Sequence, residues 1–271
     1  AALTRPTWAQ TAPVPLVGTV ASGAPNGYVL DGRLNDSARA VFLLLEKGIG
    51  VRRVSHATAE GKVRAGDFLV GAGDVADVAK RSGVDFVALA SPVTAGAYEI
   101  RKPRIAMLQR YGGGNMDEGW TRLMFEQFDV PFTSILDAEI KAGGLEANYD
   151  TIVLPADSIT AMTGERPAGS TAPGGGGPAA PPDNTPAEYR SGFGAEGVKA
   201  LEAFVQKGGT LLTFANAGDL PIQRFGLPVR NIVAGLPSKT FWSPGSTLRV
   251  RFDTSNPLVY GMPAEGLALF V

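Results

Sequence analysis

The chain has 271 residues, 44% of them hydrophobic, which is enough for one large or two ordinary domains with real cores. Its 25 Lys and Arg residues nearly balance its 26 Asp and Glu residues and are scattered along the chain, so no basic surface for nucleic acid is expected. Cysteine is absent, which excludes disulfides, thiolate metal sites and cysteine nucleophiles, and no apolar run reaches the roughly 18 residues that a membrane span needs.

The two ends of the chain predict a piece of a longer protein. Prolines at positions 6, 13 and 15 mark residues 1–15 as a linker, and no signal peptide is visible there. The last residues, LALFV at 267–271, are typical of the middle of a strand. We therefore expect a truncated extension at the C-terminus.

Residues 16–101 alternate between strand patterns and helix patterns. Short apolar runs bounded by turn residues predict strands at residues 28–30, 51–54, 67–70 and 84–89. A helix is predicted from Asn35, where Asn-Asp-Ser gives a start signal and apolar residues follow at helical spacing up to Leu45, and a second one at residues 74–81. This βαβ-like alternation predicts a small layered α/β unit.

Residues 102–235 predict a second, larger α/β domain. Strands are expected at residues 104–109, 132–136, 151–154 and 210–214, with one helix ending near residue 128 and another at 194–206. This order is typical of a mostly parallel sheet with helices on both faces. The Gly- and Pro-rich stretch 164–186 has almost no apolar side chain to bury and predicts a disordered insertion. Residues 236–271 are expected to add further strands.

The YGGGN turn at residues 111–115 is the first candidate ligand site. It joins a predicted strand to a predicted helix, whose exposed amides can hold an anion near Gly113 and Asn115. The turn lacks the Lys-Ser/Thr of a P-loop and a clean GxGxxG spacing. Asp117 and Glu118 occupy the first helical turn, where they repel phosphate, so a tight turn with helix capping is favoured.

Asp157 is the most interesting of several carboxylates. It follows a predicted strand at the carboxyl end, where doubly wound sheets bind ligands. Acid–base catalysis would need a second carboxylate opposite it, from among Asp117, Glu118, Asp137 and Glu139. Sequence alone brings no two of them together, so a solvated or capping role is favoured.

A metal site is not expected in this chain. His56 is the only histidine, and one histidine cannot build HExxH or a two-His zinc site. A Ser-His-Asp triad would need His56 as its base, and no GxSxG elbow accompanies it.

Two groups of aromatic residues stand out. Trp120, Phe125 and Phe128 share one predicted helix and are expected in the core. Phe241 and Trp242 lie in a Pro-flanked loop and are candidate interface anchors.

Several stretches resemble the region that follows the catalytic domain in large bacterial zinc carboxypeptidase-family proteins, a region similar to the class I glutamine amidotransferase-like fold. They are residues 102–132, which contain RYGGGNMDEGWTRLMFEQF, and the stretches DTIVLPAD at 150–157, KALEAFVQKGGTLLTFANAG at 199–218 and LPSKTFWSPGSTLRV at 236–250. The stretch YVLDGRLNDSARAVFLLLEKGIGVRRVS at 28–55 resembles the connecting region of the same proteins.

The resemblance assigns the amidotransferase nucleophile to a sharp turn after a strand. That position falls at about Ala215, and no histidine follows it to activate a nucleophile. The resemblance also implies a parent enzyme with an HxxE…His zinc site upstream, a signal peptide and export to the periplasm or the extracellular space. Zinc is expected only in that upstream domain, and no cofactor in this chain.

The leading interpretation is a non-catalytic accessory region of an exported zinc carboxypeptidase-like protein. It would pack on the upstream peptidase domain of the same polypeptide or hold a peptide or cell-wall substrate. One alternative is a stand-alone ligand- or sugar-binding module that uses the strand ends near Asn115, Asp157 and Asn216. The other is a hydrolase that uses Asp157 and a neighbouring carboxylate.

Overall fold

The structure is a computed structural model that describes residues 17–58, 63–93, 96–110, 114–165, 186, 192–243 and 245–270. The predicted linker at 1–15, Gly113 and nearly all of the predicted insertion at 164–186 lie outside these residues. The chain is a mixed α/β protein that divides into two compact units. The first contains the described residues up to Arg101 together with Arg249–Leu267, and the second contains Lys102–Leu248 with the described residues from Ala268 onwards.

The first unit is built on a five-stranded antiparallel sheet. Its strands are β1 (Tyr28–Leu30), β2 (Val51–Val54), β3 (Phe68–Val70), β4 (Val87–Ala88) and β5 (Ala97–Ile100). Helix α1 (Asn35–Glu46) follows β1, and helix α2 (Ala76–Ser82) follows β3. The strand order in the sheet is β4-β1-β3-β2-β5.

The two helices of this unit connect strands that run in the same direction. β1 and β2 both pair antiparallel with β3, which lies between them, and β3 and β4 both pair antiparallel with β1. This arrangement is the split βαβ topology of ferredoxin-like folds, with β5 added beside β2. The βαβ-like alternation in the sequence therefore corresponds to two strand–helix–strand crossovers. In each crossover the two parallel strands are separated in the sheet by a third strand that runs antiparallel to both, so all neighbouring strands are antiparallel.

The core of the first unit lies on both faces of its sheet. Leu30 and Val70 pack against α1 and α2 on one face. Leu69, which neighbours Val70 in β3, points the other way and packs with Val54 and Leu89. Successive strand residues alternate between faces, so both faces contribute buried apolar area, and each fully buried Val or Leu contributes about 1.5–3 kcal/mol.

The C-terminal part of the first unit is fixed to the sheet through Arg53 of β2. Its guanidinium carbon lies 5.3 Å from the ring centre of Phe68 and 5.6 Å from that of Tyr260. Arg53 Nη2 donates to the carbonyl oxygen of Tyr260 at 3.2 Å, and the Tyr260 hydroxyl donates to the carbonyl oxygen of Ser55 at 3.0 Å. The segment that returns to this unit is therefore held by one ring contact, between Arg53 and Tyr260, and by two hydrogen bonds.

The second unit contains the predicted parallel sheet. Its strands are β6 (Ile105–Leu108), β7 (Thr133–Ile135), β8 (Thr151–Leu154) and β9 (Thr210–Thr213). Their order is β7-β6-β8-β9, and every neighbouring pair is parallel. The structure confirms an α/β chain with a parallel sheet of four strands, which is accompanied by the antiparallel sheet of the first unit.

Helices cover both faces of the parallel sheet. They are α3 (Met116–Gln127), α4 (Asp137–Ala142), α5 (Ile159–Thr163), α6 (Gly194–Gln206) and α7 (Asp219–Arg224). Met107 and Val153 pack with Phe125 of α3 on one face. Leu108 and Leu154 point to the other face, where they pack in a cluster with α4, α5 and α6. No helix in the part of the chain that the structure describes is both long and apolar enough to cross a membrane.

Two strands near the end of the described chain form a separate two-stranded sheet. They are β10 (Ser246–Arg251) and β11 (Glu265–Phe270). Arg249 and Glu265 form an ion pair across it at 3.1 Å. These are the strands expected within residues 236–271.

Candidate functional site

The candidate site residues lie within three residues of the ends of three strands of the parallel sheet. Arg110 follows β6, Asp157 follows β8, and Ala215 and Asn216 follow β9. Because the four strands run in one direction, the residues that follow them are presented at the same edge of the sheet, where ligands bind in open α/β folds. The structure therefore has one candidate edge, and the contacts between these residues decide what it can do.

Arg110 and Asp157 form a shielded ion pair at this edge. Arg110 Nε lies 2.8 Å from Asp157 Oδ2, and the two side chains are 7% and 14% exposed. Arg110 Nη2 also donates to the carbonyl oxygen of Gly114 at 2.6 Å. The guanidinium thus connects the end of β8 to the turn that precedes α3.

Asn115 joins the same cluster through both ends of its amide. Its Oδ1 accepts hydrogen bonds from the backbone N–H groups of Asp117 and Glu118, at 3.0 and 3.3 Å, and so caps α3. Its Nδ2 donates to the carbonyl oxygen of Ala156 at 3.2 Å and to Asp157 Oδ2 at 3.4 Å. The capping role favoured from the sequence is present, and Asn115 also ties the start of α3 to the end of β8.

The carboxylate of Asp157 is engaged on both oxygens. Oδ2 faces Arg110 and Asn115, while Oδ1 accepts a hydrogen bond from the backbone N–H of Ser158 at 2.9 Å. The charges of Arg110 and Asp157 compensate each other, so a ligand at this edge meets a neutral polar cluster rather than a phosphate-binding cation. Its evident role in the fold is to hold three chain segments together.

Asp137 is a second shielded carboxylate in the same unit. It begins α4, is 8% exposed, and its Oδ2 accepts a hydrogen bond from the backbone N–H of Gly192 at 2.7 Å. Burial raises the pKa of the Asp137 carboxyl above its ordinary value, while that hydrogen bond and the positive charges of Lys141 and Arg110 act in the opposite direction. The structure gives no hydrogen bond between Asp137 and Asp157 in the described residues.

Ala215 has an unusual backbone conformation. It is exposed, its φ angle is +46°, and it is one of two non-glycine residues with positive φ in the described chain. The preceding Phe214 continues β9, because its N–H donates to the carbonyl oxygen of Leu154 at 3.0 Å. A left-handed conformation costs a residue with a Cβ about 1–2 kcal/mol. The chain therefore turns sharply at Ala215, which follows the extended Phe214 and begins the short 3-10 helix Ala215–Gly218.

The other residues predicted near this edge are only partly brought together. Asn216 is exposed in the 3-10 helix, and no hydrogen bond links it to Asn115 or Asp157 among the described residues. Gly113 lies outside the described residues. Phe241 and Trp242 are 40% and 75% exposed, so their proposed role as interface anchors stays a prediction.

One expectation about the aromatic residues is wrong. Trp120, predicted to lie in the core, is 68% exposed on α3, whereas Phe125 is buried and Phe128 is half-buried. The helix buries the face that carries Phe125, and Trp120 lies on the opposite side. Apolar residues occupy both faces of α3, and their spacing does not indicate which face meets the sheet.

His56 is exposed, and its Nδ1 lies 2.9 Å from the Ser55 hydroxyl. Within the described ranges, no three His, Asp or Glu side chains gather in a way that could hold a metal ion.

Arg110 is the residue that the sequence analysis missed. The sequence feature that points to Arg110 is a cation directly after the predicted buried strand RIAMLQ, at the carboxyl end where site residues gather.

No family model, curated protein or solved structure matches the chain.

Proposed function

We propose that this chain is a non-catalytic accessory region of an exported zinc carboxypeptidase-like protein. In this proposal the second unit is an amidotransferase-like domain of flavodoxin type that has lost its nucleophile. The observation that carries the proposal is Ala215, a residue with positive φ at the turn after β9. The sequence resemblance assigns the nucleophile to that position.

A strained residue between a strand and a helix is the geometry that lifts a nucleophile out of a sheet. A cysteine or serine there would present its side chain at the strand ends, but the methyl group of Ala215 cannot attack a carbonyl carbon. The only histidine of the chain, His56, belongs to the first unit. The second unit therefore has neither a nucleophile at this turn nor a histidine base to activate one.

The accessory role consists of packing on a peptidase domain or holding its peptide or cell-wall substrate. Zinc chemistry in such a protein belongs to ligands that this chain does not supply, since its one histidine and its scattered carboxylates form no ligand set in the described residues.

Turnover assays on the wild type and on Ala215→Cys test the missing nucleophile. Because the chain has no cysteine, Ala215→Cys carries a single thiol at the proposed position. Neither protein is expected to hydrolyse glutamine, since a cysteine without a base remains a poor nucleophile. Glutaminase activity of the wild type that persists through repurification would refute the proposal.

The link to a peptidase has its own test, the intact mass and N-terminal sequence of the native polypeptide. A polypeptide much larger than 28.2 kDa, with an HxxE motif upstream, supports the accessory role. A native mass close to 28.2 kDa contradicts it and favours an independent module.

The second candidate function is a ligand-binding module at the strand ends. It is favoured by the convergence of Arg110, Asn115 and Asp157, which offers a neutral polar surface suited to sugars or amides rather than to phosphate. A thermal-shift screen of neutral sugars and small amides tests it, because a ligand that binds only the folded state raises the melting temperature. A ligand found in this screen must no longer raise the melting temperature of Asp157→Asn, but must still raise that of the exposed control Glu126→Gln.

The hydrolase alternative requires Asp157 to work with a second carboxylate. Its two oxygens already accept hydrogen bonds from Arg110, Asn115 and Ser158, so catalysis would require these contacts to open. Asp157→Asn must abolish any hydrolysis found, and an active Asp157→Asn variant eliminates this alternative.

A further inference from the structure

The solvent-facing side of α3 carries an apolar stripe. Met116, Trp120, Leu123 and Met124 are 82%, 68%, 44% and 46% exposed. At the helical rotation of about 100° per residue, these four positions fall within a band about 100° wide. We call this set of four residues the α3 stripe.

The stripe is not the surface that attaches the helix to its own unit. The buried residues of α3 are Glu118, Thr121 and Phe125, and Phe125 packs with Met107 and Val153 of the sheet. These buried positions lie on the opposite side of the helix from the stripe. The four apolar side chains of the stripe therefore remain exposed to water, and an exposed apolar surface of this kind marks an interaction site.

The borders of the stripe are acidic. Asp117 lies along one border and Glu126 along the other, and both are exposed. The only basic residue of α3 is Arg122, which forms an ion pair with Glu118 and donates to Ser134 Oγ at 2.9 Å. Its guanidinium also lies over the ring of a neighbouring phenylalanine, at 5.3 Å from the ring centre. This cation is therefore committed to the buried side of the helix.

We propose that the α3 stripe binds an amphipathic helical segment of another protein, one whose apolar face is bordered by Lys and Arg. Apolar anchors at helical spacing are how a helix recognises a second helix or a groove. The two methionines suit such a surface because their flexible, polarisable side chains adapt to a partner. The acidic borders select basic residues on the partner and disfavour acidic ones.

The same charges exclude two other occupants. A second copy of the chain would bring Asp117 and Glu126 of both copies around one apolar contact without a free cation on α3 to compensate them. An anionic membrane surface would repel the acidic borders, since helices that lie on membranes carry Lys and Arg there. This inference is independent of the function proposed for the strand ends, because it rests on exposed side chains of α3 and not on Arg110, Asn115 or Asp157.

A peptide-binding experiment on the full chain tests the inference. The probe is a fluorescently labelled 18-residue helical peptide of Leu and Lys, with Leu at positions i, i+3, i+4 and i+7, and binding is followed by anisotropy. The wild type should bind it, and Trp120→Glu and Met116→Glu should each weaken binding at least tenfold. The matched control Trp242→Glu, which changes another exposed tryptophan, should bind within twofold of wild type. A Leu/Glu peptide of the same pattern should not bind.

Three outcomes would overturn the inference. One is equal binding of the Leu/Lys peptide by the wild type and both α3 variants, with folding of each variant verified by circular dichroism. Another is self-association in sedimentation that Trp120→Glu abolishes, which would identify a second copy as the occupant. The last is Trp120-dependent binding to vesicles of phosphatidylserine and phosphatidylcholine.

Discussion

The shielded pair of Arg110 and Asp157 should be among the most costly interactions to break in the second unit. Arg110→Met removes the cation and leaves the Asp157 carboxylate 14% exposed with only its bonds from Asn115 and Ser158. Asp157→Asn removes the carboxylate charge that faces the Arg110 guanidinium, whose side chain is 7% exposed. Breaking a buried pair by removing one partner typically costs about 3–5 kcal/mol.

The magnitude follows from what each variant retains. Asp157 keeps two of its donors in Arg110→Met, so we expect the lower end of that range, about 3 kcal/mol. The double variant removes both charges, and its cost should fall short of the sum of the single costs by about 2 kcal/mol, which is the coupling energy of the pair.

Hydrogen exchange in β6 and β8 at low urea concentration measures these costs within the second unit alone. Arg104 and Asp150 provide a matched control, because their nitrogen and oxygen lie 2.7 Å apart but the side chains are 47% and 49% exposed. The corresponding cycle of Arg104→Met and Asp150→Asn should give a coupling below about 1 kcal/mol. Equal coupling energies in the two cycles would refute the reasoning from burial.

Three further predictions concern stability. Ala215→Gly should stabilise the second unit by about 1 kcal/mol, because glycine adopts positive φ without strain; an unchanged melting temperature would argue against strain at this turn. Asp137→Asn should stabilise the protein at pH 7. The raised pKa means that the wild type loses stability as pH rises from the ordinary value of 3.8 through the folded-state pKa, so the gain should vanish below pH 3.8 in a series of denaturant titrations. Tyr260→Leu should cost the first unit about 1–2 kcal/mol through the lost contact with Arg53, and Tyr260→Phe less; equal losses would assign the effect to the hydroxyl.

The sequence predicted those helices and strands whose apolar periodicity is long or whose ends are marked by start and stop residues. Helix α6 spans Gly194–Gln206, as expected, because its apolar spacing runs over three turns and a Gly-Gly pair ends it. Helices α4, α5 and α7 have 6, 5 and 6 residues and were missed, since so few residues do not establish a period. Strand β5 was also missed, because none of its residues is buried.

The order of the strands within each sheet could not be predicted from local sequence patterns. The alternation of strand and helix in the first unit is compatible with neighbouring parallel strands and with split crossovers. What decides between them is the antiparallel pairing of Tyr28 with Val70, a contact between residues far apart in the chain. The pair of Arg110 and Asp157 is of the same kind, because it joins residues 47 positions apart. The sequence marked Asp157 through its position after a strand, but the side chain that faces it follows another strand.

The most direct test of the account is the turnover of glutamine and of peptides by the purified 271-residue chain. We expect no hydrolysis above buffer, for the wild type and for Asp157→Asn alike, because Ala215 supplies no nucleophile and the Asp157 carboxylate is held by its neighbours. Hydrolysis that follows the protein through purification and disappears in Asp157→Asn would contradict the account and make this edge of the sheet an active site.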